Sequence, residues 1–260
     1  MKKLLFVLFC MASFTGFSQD TSRLEVNPAA DIVSRYVWRG IDFGASPAVE
    51  PDLCFTYKNL EFGAWGAFST NSDYQELDVY LYYTFYKELF TIGFIDYYFP
   101  DVHALNQNYF DFSNETTAHY LELNALFNGS EKLPLSISVN SIIYGADKGV
   151  SDSVIIPADS SYSYQFKNLY STYIELGYQL ERPRYSLDFF LGYNLNGIDR
   201  EDAVISGGEG FYLDGAGITN IGITATRSIK INEKLRIPLY SSFIVNPKLE
   251  RVYLVFGLSL

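Results

Sequence analysis

The sequence is short of the residue types that build most chemical sites. Its 260 residues include only 2 His, 2 Cys, 2 Trp and 2 Met. Two His and two Cys are too little material for a zinc centre or a Cys/His cluster, and no cofactor motif is found. Lys and Arg number 19 against 30 Asp and Glu, a net charge of −11. Nucleic acid is therefore not expected as a partner, because its phosphates require clustered cations. With 19 Gly and 9 Pro the chain is neither fibrous nor of low complexity, and 48% apolar residues exclude disorder. After Asp20 no run of 18 apolar residues occurs, which excludes transmembrane helices. The excess lies in the aromatics, 22 Tyr and 21 Phe.

The N-terminus reads as a targeting segment. Lys2 and Lys3 precede a short apolar core from Leu4 to Ala12, and Gly16 and Ser18 supply small residues before a cleavage point after Ser18. The expected division is a signal peptide over 1–18 and one exported domain over 19–260. Cleavage leaves Cys54 as the sole cysteine, so no intramolecular disulfide can form.

The rest of the chain alternates with a period of two. Leu77, Val79, Leu81, Tyr83 and Phe85 interleave with Glu76, Asp78, Tyr80, Tyr82 and Thr84. Tyr185, Leu187, Phe189, Leu191 and Tyr193 oppose Ser186, Asp188, Phe190, Gly192 and Asn194. About twelve strands follow, over 26–40, 47–57, 60–70, 75–86, 89–99, 117–127, 134–145, 169–181, 185–195, 217–229, 235–245 and 251–260. Most match the roughly 9 to 11 residues that a tilted strand needs to cross a bilayer. Every second connection is tight, as at Lys58-Asn59 and Lys87-Glu88, while the three long ones, 100–116, 146–168 and 196–216, fall in the other set. Sorting by parity predicts a single transmembrane antiparallel β-barrel in a bacterial outer membrane, with short periplasmic turns and longer extracellular loops.

The apolar faces agree. Tyr185 and Tyr193 bracket an aliphatic band, and eight steps of about 3.3 Å, tilted by about 40°, span roughly 20 Å, close to the height of a lipid-facing belt. Leu258 and Leu260 close the last strand, the segment expected to engage the barrel-assembly machinery. Outer-membrane lipid is the other expected partner.

The segment Asp31 to Pro51, DIVSRYVWRGIDFGASPAVEP, resembles the opening of the TorF family of porins, with Ser34, Tyr36, Arg39 and Gly40 standing in its Ser-x-Tyr-x-x-Arg-Gly motif. Gly63 and Trp65, ELDVYLYY at Glu76 to Tyr83, YYFP at Tyr97 to Pro100, and Glu122 continue the resemblance. It implies an outer-membrane barrel for passive transport and assigns no solute.

Fixing the alternation places Asp31, Arg35, Arg39, Glu76, Asp78, Glu122, Glu175, Asp188, Arg236 and Arg251 on the inner face. Charged groups belong there, because an Arg or Lys facing lipid at mid-depth costs about 2–4 kcal/mol. One reading is a hydrophilic passage for small polar solutes or ions, its acids mildly favouring cations. The other is a non-conducting structural or surface-interaction barrel, in which Arg35 and Arg39 bridge Glu76, Asp78 and Glu122 and close the lumen. No catalytic or metal site is expected. A third arrangement, a lipid hydrolase, would need Asp96, His119 and Ser141 side by side on the outer face, which register sums of 215 and 260 would give. Trp38 is expected outward, as an interfacial anchor ahead of a surface turn at Arg39-Gly40, and Cys54 as a small packed residue. Asp147 to Asp159 reads as a solvated acidic loop.

Overall fold

The computed structural model describes residues 23–100, 108–114, 116–156, 161–196, 211–212, 215–233 and 235–260. The expected signal segment and its cleavage point lie outside them. Sixteen strands are described: β1 (Glu25–Val33), β2 (Tyr36–Trp38), β3 (Ile41–Phe43), β4 (Ala48–Tyr57), β5 (Leu60–Ser69), β6 (Gln75–Phe85), β7 (Phe90–Tyr98), β8 (His119–Phe127), β9 (Leu135–Gly145), β10 (Lys148–Ile156), β11 (Ser161–Asn168), β12 (Thr172–Arg182), β13 (Tyr185–Asn194), β14 (Gly217–Lys230), β15 (Arg236–Asn246) and β16 (Arg251–Ser259). Twelve of them close into one antiparallel barrel, each paired with its neighbour in sequence once the two separate hairpins β2–β3 and β10–β11 are set aside. The seam joins β1 to β16 through Asp31↔Ser259, Ile32↔Leu258 and Val33↔Gly257, and is extended by mutual backbone hydrogen bonds between Ala30 and Leu260.

The connections at the end of the barrel where β1 begins and β16 finishes are all short, and the three long connections lie at the opposite, loop end together with the tight β15–β16 turn at Pro247 to Glu250. Outward positions carry the exposed apolar side chains Leu53, Phe62, Val79, Leu81, Ile92, Leu123, Val139, Phe243 and Phe256. Tyr185 and Tyr193 bracket Phe189 and Leu191 on β13, all four exposed. An apolar belt left exposed by the described residues marks a barrel embedded in a membrane.

The inward aromatics lie flat against the wall. Tyr80 is in register with Gly63, Tyr82 with Gly93, Phe190 with Gly222, and Tyr240 with Gly257. At each of these glycines a Cβ would collide with the facing ring. Missing side chains on one strand thus make room for a ring from the next, so these aromatics narrow the lumen less than their size implies.

The largest departure from expectation is at the first strand. The sequence reads as one strand over 26–40, but the barrel strand stops at Val33. Ser34 is held by β16, its N–H donating to Phe256 O at 2.8 Å and its Oγ accepting from Phe256 N at 2.9 Å. The chain then turns inward, and β2 and β3 pair only with each other, Tyr36↔Phe43, Val37↔Asp42 and Trp38↔Ile41. Their two-residue turn, Arg39-Gly40, has φ of 50° and 80°. Positive φ at both central residues is the hairpin turn whose twist suits its flanking strands. Gly40 is also forced by space: a Cβ there would meet the backbone carbonyl of Thr219, which a β-bulge in β14 pushes inward.

Candidate functional site

The β2–β3 hairpin lies inside the barrel and builds the site. Arg39 at its tip is 5% exposed and forms a bidentate pair with Glu122 of β8, Nη1 to Oε2 at 2.6 Å and Nη2 to Oε1 at 3.0 Å. Glu122 is fully buried and also accepts from Tyr97 OH at 2.9 Å, Asn124 Nδ2 at 2.6 Å and Tyr212 OH at 3.2 Å. Arg39 in turn donates to the Tyr212 hydroxyl. Its guanidinium lies 4.2 Å from the Trp38 ring centroid and 4.7 Å from that of Tyr173. On the far wall Asn246 Nδ2 donates to Gly40 O at 2.9 Å. The hairpin is therefore tied to β8, β12 and β15 by side chains while sharing no ladder with any of them.

This arrangement corrects the expectation for Trp38. Its ring does not face lipid; it packs in the lumen against Tyr97, Phe211 and Tyr212 with centroids at 5.4, 5.5 and 6.2 Å. The Arg39-Gly40 turn is likewise buried rather than at the surface. One signal was available in the sequence: a strand over 26–40 is longer than a bilayer crossing needs, and X-Gly within alternating residues marks a hairpin. Tyr212 and Phe211, from the third long connection, had no comparable signal. They plug the same level of the lumen, with Phe211 also packing on Phe99 and Tyr120.

The remaining acids line the wall beside the hairpin. Asp31 faces Glu50 in register, and Asp78 and Glu76 follow on β6 opposite Trp65 and Ala67. Tyr74 OH donates to Glu76 at 2.6 Å and Tyr80 OH to Asp52 at 2.9 Å. Arg35 does not reach Glu76 or Asp78; it pairs within the hairpin with Asp42 at 2.7 Å. Burial raises the Asp42 carboxyl above its ordinary range, and Arg35 opposes that shift. Asp31, Glu50, Glu76 and Asp78 thus have no ion-pair partner among the described residues. Glu175 accepts from Tyr173 OH and from Asn220 Nδ2, the latter at 2.9 Å. Asp188 is half-buried on β13 between Gln179 and Thr224. Arg236 and Arg251 are exposed at opposite ends of the barrel, facing Lys230 and Asn246 in register. The inner face therefore gathers Arg39, Glu122 and Glu175 around one level, sets Glu76 and Asp78 beside it, and leaves Arg35, Asp188, Arg236 and Arg251 apart from it.

The Asp96/His119/Ser141 arrangement does not assemble. Leu123, not His119, faces Ser141, four residues along β8, and Ser141 Oγ hydrogen-bonds Thr172 Oγ1 at 2.9 Å. Asp96 and His119 do meet, diagonally, at 2.7 Å. Cys54 is buried, as expected of a packed residue. Asp147 differs from the solvated reading: it is buried and accepts from Ser171 N and Oγ at 2.8 and 2.7 Å, fastening the base of the β10–β11 hairpin. Burial raises its carboxyl above the ordinary range, against these hydrogen bonds.

No family model and no curated protein matches the sequence. Among solved structures the chain is similar to the KdgM porin, at 10% identity and a TM-score of 0.42, over 89% of this chain and 96% of that one. It is also similar to an outer-membrane channel from Pseudomonas putida F1, at 12% identity and a TM-score of 0.40, over 94% and 98% of the two chains.

Proposed function

We propose that the protein is an outer-membrane porin for small polar solutes or ions, in which the β2–β3 hairpin is a plug that must shift for passage. The observation that carries this reading is the hairpin's attachment. It crosses the lumen yet takes no part in the barrel ladder, so it can leave without breaking a strand pair. Arg39 to Glu122 is its main tether. The carboxylates of Asp31, Glu50, Glu76 and Asp78, which lack cationic partners among the described residues, favour cations once water enters. Of the acids and arginines assigned to the pore lining, Glu76, Asp78, Glu122 and Glu175 stand nearest the plug and would influence selectivity most.

The residues that carry the TorF resemblance fall on this device. Ser34 begins the hairpin, Tyr36 packs on Trp65 at 5.4 Å, and Arg39-Gly40 forms its tip. The wider reading includes cleavage after Ser18, checked by sequencing the mature N-terminus, and engagement of the assembly machinery by β16.

A second reading rests on the same knot: a barrel that stays closed and serves as a structural or surface-binding element. Planar-bilayer recording separates the two. The parent protein is expected to show rare single-channel steps, and deletion of residues 36–43 frequent ones with a cation-selective reversal potential. Folded deletion protein that gives no steps would overturn the porin reading.

A further inference from the structure

The knot in the lumen has a counterpart on the outside of the wall. Alternation on β7 and β8 points Asp96, Tyr98 and His119 outward, in line with Ile92 and Leu123. Ile92 and Leu123 are exposed in the apolar belt, yet Asp96, Tyr98 and His119 are buried. Residues 108–114 cover them, lying over the outer face near the loop end. Two backbone carbonyls of this strap are held by the wall. Tyr109 O lies 2.6 Å from His119 Nε2, and Tyr144 of β9 donates its hydroxyl to Phe112 O at 2.6 Å. Phe112 stacks on the His119 ring at 4.2 Å, and Tyr98 and Tyr109 enclose it at 4.7 and 5.0 Å. The strap is braced within itself by Phe110 N on Asn108 Oδ1 and Ser113 N on Asp111 Oδ1, both at 3.0 Å, and its far side by Thr116 Oγ1 on Asp111 Oδ2 at 2.6 Å. Phe110, on its crest, is 80% exposed.

The hydrogen bonds at His119 fix a proton count. Nδ1 faces Asp96 Oδ1 at 2.7 Å and Nε2 faces the Tyr109 carbonyl at 2.6 Å. A carbonyl and a carboxylate both accept, and a neutral imidazole has one N–H. Each contact needs its own hydrogen, so the His119–Asp96 pair holds two protons, whichever atom carries the second. The other titratable groups facing the ring are Tyr98 on β7, Tyr109 and Asp111 on the strap, with Tyr144 beside Phe112. Loss of one proton leaves either the strap or Asp96 with two acceptors opposed and no hydrogen between them.

We infer that residues 108–114 form a lipid-contacting strap, continuous with the belt and seated among the outer-leaflet acyl chains through Phe110. The strap holds this seat only while the His119–Asp96 pair keeps both protons. The inference rests on the barrel being membrane-embedded and is independent of whether it conducts.

The test uses the full mature protein carrying Phe110→Trp, folded into vesicles of phosphatidylcholine brominated near the glycerol end of its acyl chains. Emission from the lumen residues Trp38 and Trp65 is subtracted with the parent protein. The added emission is expected to be quenched at acid pH and to lose that quenching at alkaline pH, once the His119–Asp96 pair gives up a proton. Asp96→Asn is the decisive second variant. An Asn amide can donate to Nδ1 of a neutral ring whose Nε2–H keeps the Tyr109 carbonyl, so quenching should persist across the whole range. Absence of quenching at every pH would overturn the lipid contact. Equal pH profiles with and without Asp96→Asn would overturn the proton lock. Heat-modifiable gel mobility verifies folding of each variant, and bilayer conductance reports separately on the channel reading.

Discussion

Strand β8 presents Glu122 to the lumen, in a buried ion pair with Arg39, and His119, three residues earlier, to the outer face, in a buried hydrogen-bonded pair with Asp96. The two knots solve the same problem with opposite chemistry. Inside, a guanidinium that never deprotonates meets a carboxylate already held by three other donors. Outside, a titratable imidazole meets one carboxylate within a box of rings. If the inner knot opens, water can follow into a polar lumen and solvate what is released. If the outer knot opens, Asp96 faces the apolar belt. A permanent charge suits the first position, while at the second the pair is net neutral with both protons and losing one leaves a net negative charge against the belt.

The largest effect is expected from Arg39→Ala. Breaking a buried pair by removing one partner costs about 3–5 kcal/mol, because the other charge is left behind. The loss should fall at the low end, since departure of the hairpin lets water reach Glu122. A urea titration in vesicles measures the loss, and frequent channel steps should accompany it. Arg39→Met with Glu122→Leu should recover most of the stability, as buried pairs exchange well for apolar side chains, while leaving the hairpin untethered. Recovery of stability without channel steps would show that packing of Trp38 and Tyr212, and not the ion pair, holds the plug.

His119→Ala comes next. It strands Asp96 and the Tyr109 carbonyl together, for which about 1–3 kcal/mol is the usual cost of a buried unsatisfied group. A pH dependence should follow: at low pH Asp96 can be protonated and the deficit should shrink. Equal deficits at acid and neutral pH would remove the distinction drawn between the two knots.

These two regions also differ in how far they could be read from residues alone. The barrel was legible because alternation, strand length and connection parity are each imposed by the bilayer on every strand. The twelve barrel strands lie close to where those patterns place them. Glu122, Glu76 and Asp78 were legible as inward groups for the same reason. Trp38 was not, because parity continues smoothly past Val33 while the chain leaves the sheet at Ser34, and the cue for leaving is a two-residue turn. Tyr212 lies on a long connection where no periodicity operates. For His119 and Asp96 parity gave the correct face and the wrong register. Around Ser141 the β8–β9 ladder is set four residues from the register that would place it beside His119, and a shift by an even number of residues leaves the alternation unchanged.

A matched pair of tyrosines sharpens the contrast. Tyr212→Phe removes a buried hydroxyl bonded to both Arg39 and Glu122 and should cost about 1.5–3 kcal/mol, the range for hydrogen bonds to charged groups. Channel steps should become more frequent than in the parent and less so than in Arg39→Ala.

Tyr144→Phe removes the corresponding tie outside, a single hydroxyl on the Phe112 carbonyl at an exposed position. A neutral bond there is worth about 0.5 kcal/mol, the low end of the range, because water or a lipid headgroup can replace the donor. Its effect on global stability should be too small to separate from the parent by urea titration. Its effect on the strap should be visible, since Tyr144 is one of two ties on the strap's carbonyls. Quenching of the introduced indole in the Phe110→Trp background should fall at a less alkaline pH. An unchanged quenching profile would mean that the aromatic box alone seats the strap, and that the outer knot, unlike the inner one, depends on ring contacts more than on its hydrogen bonds.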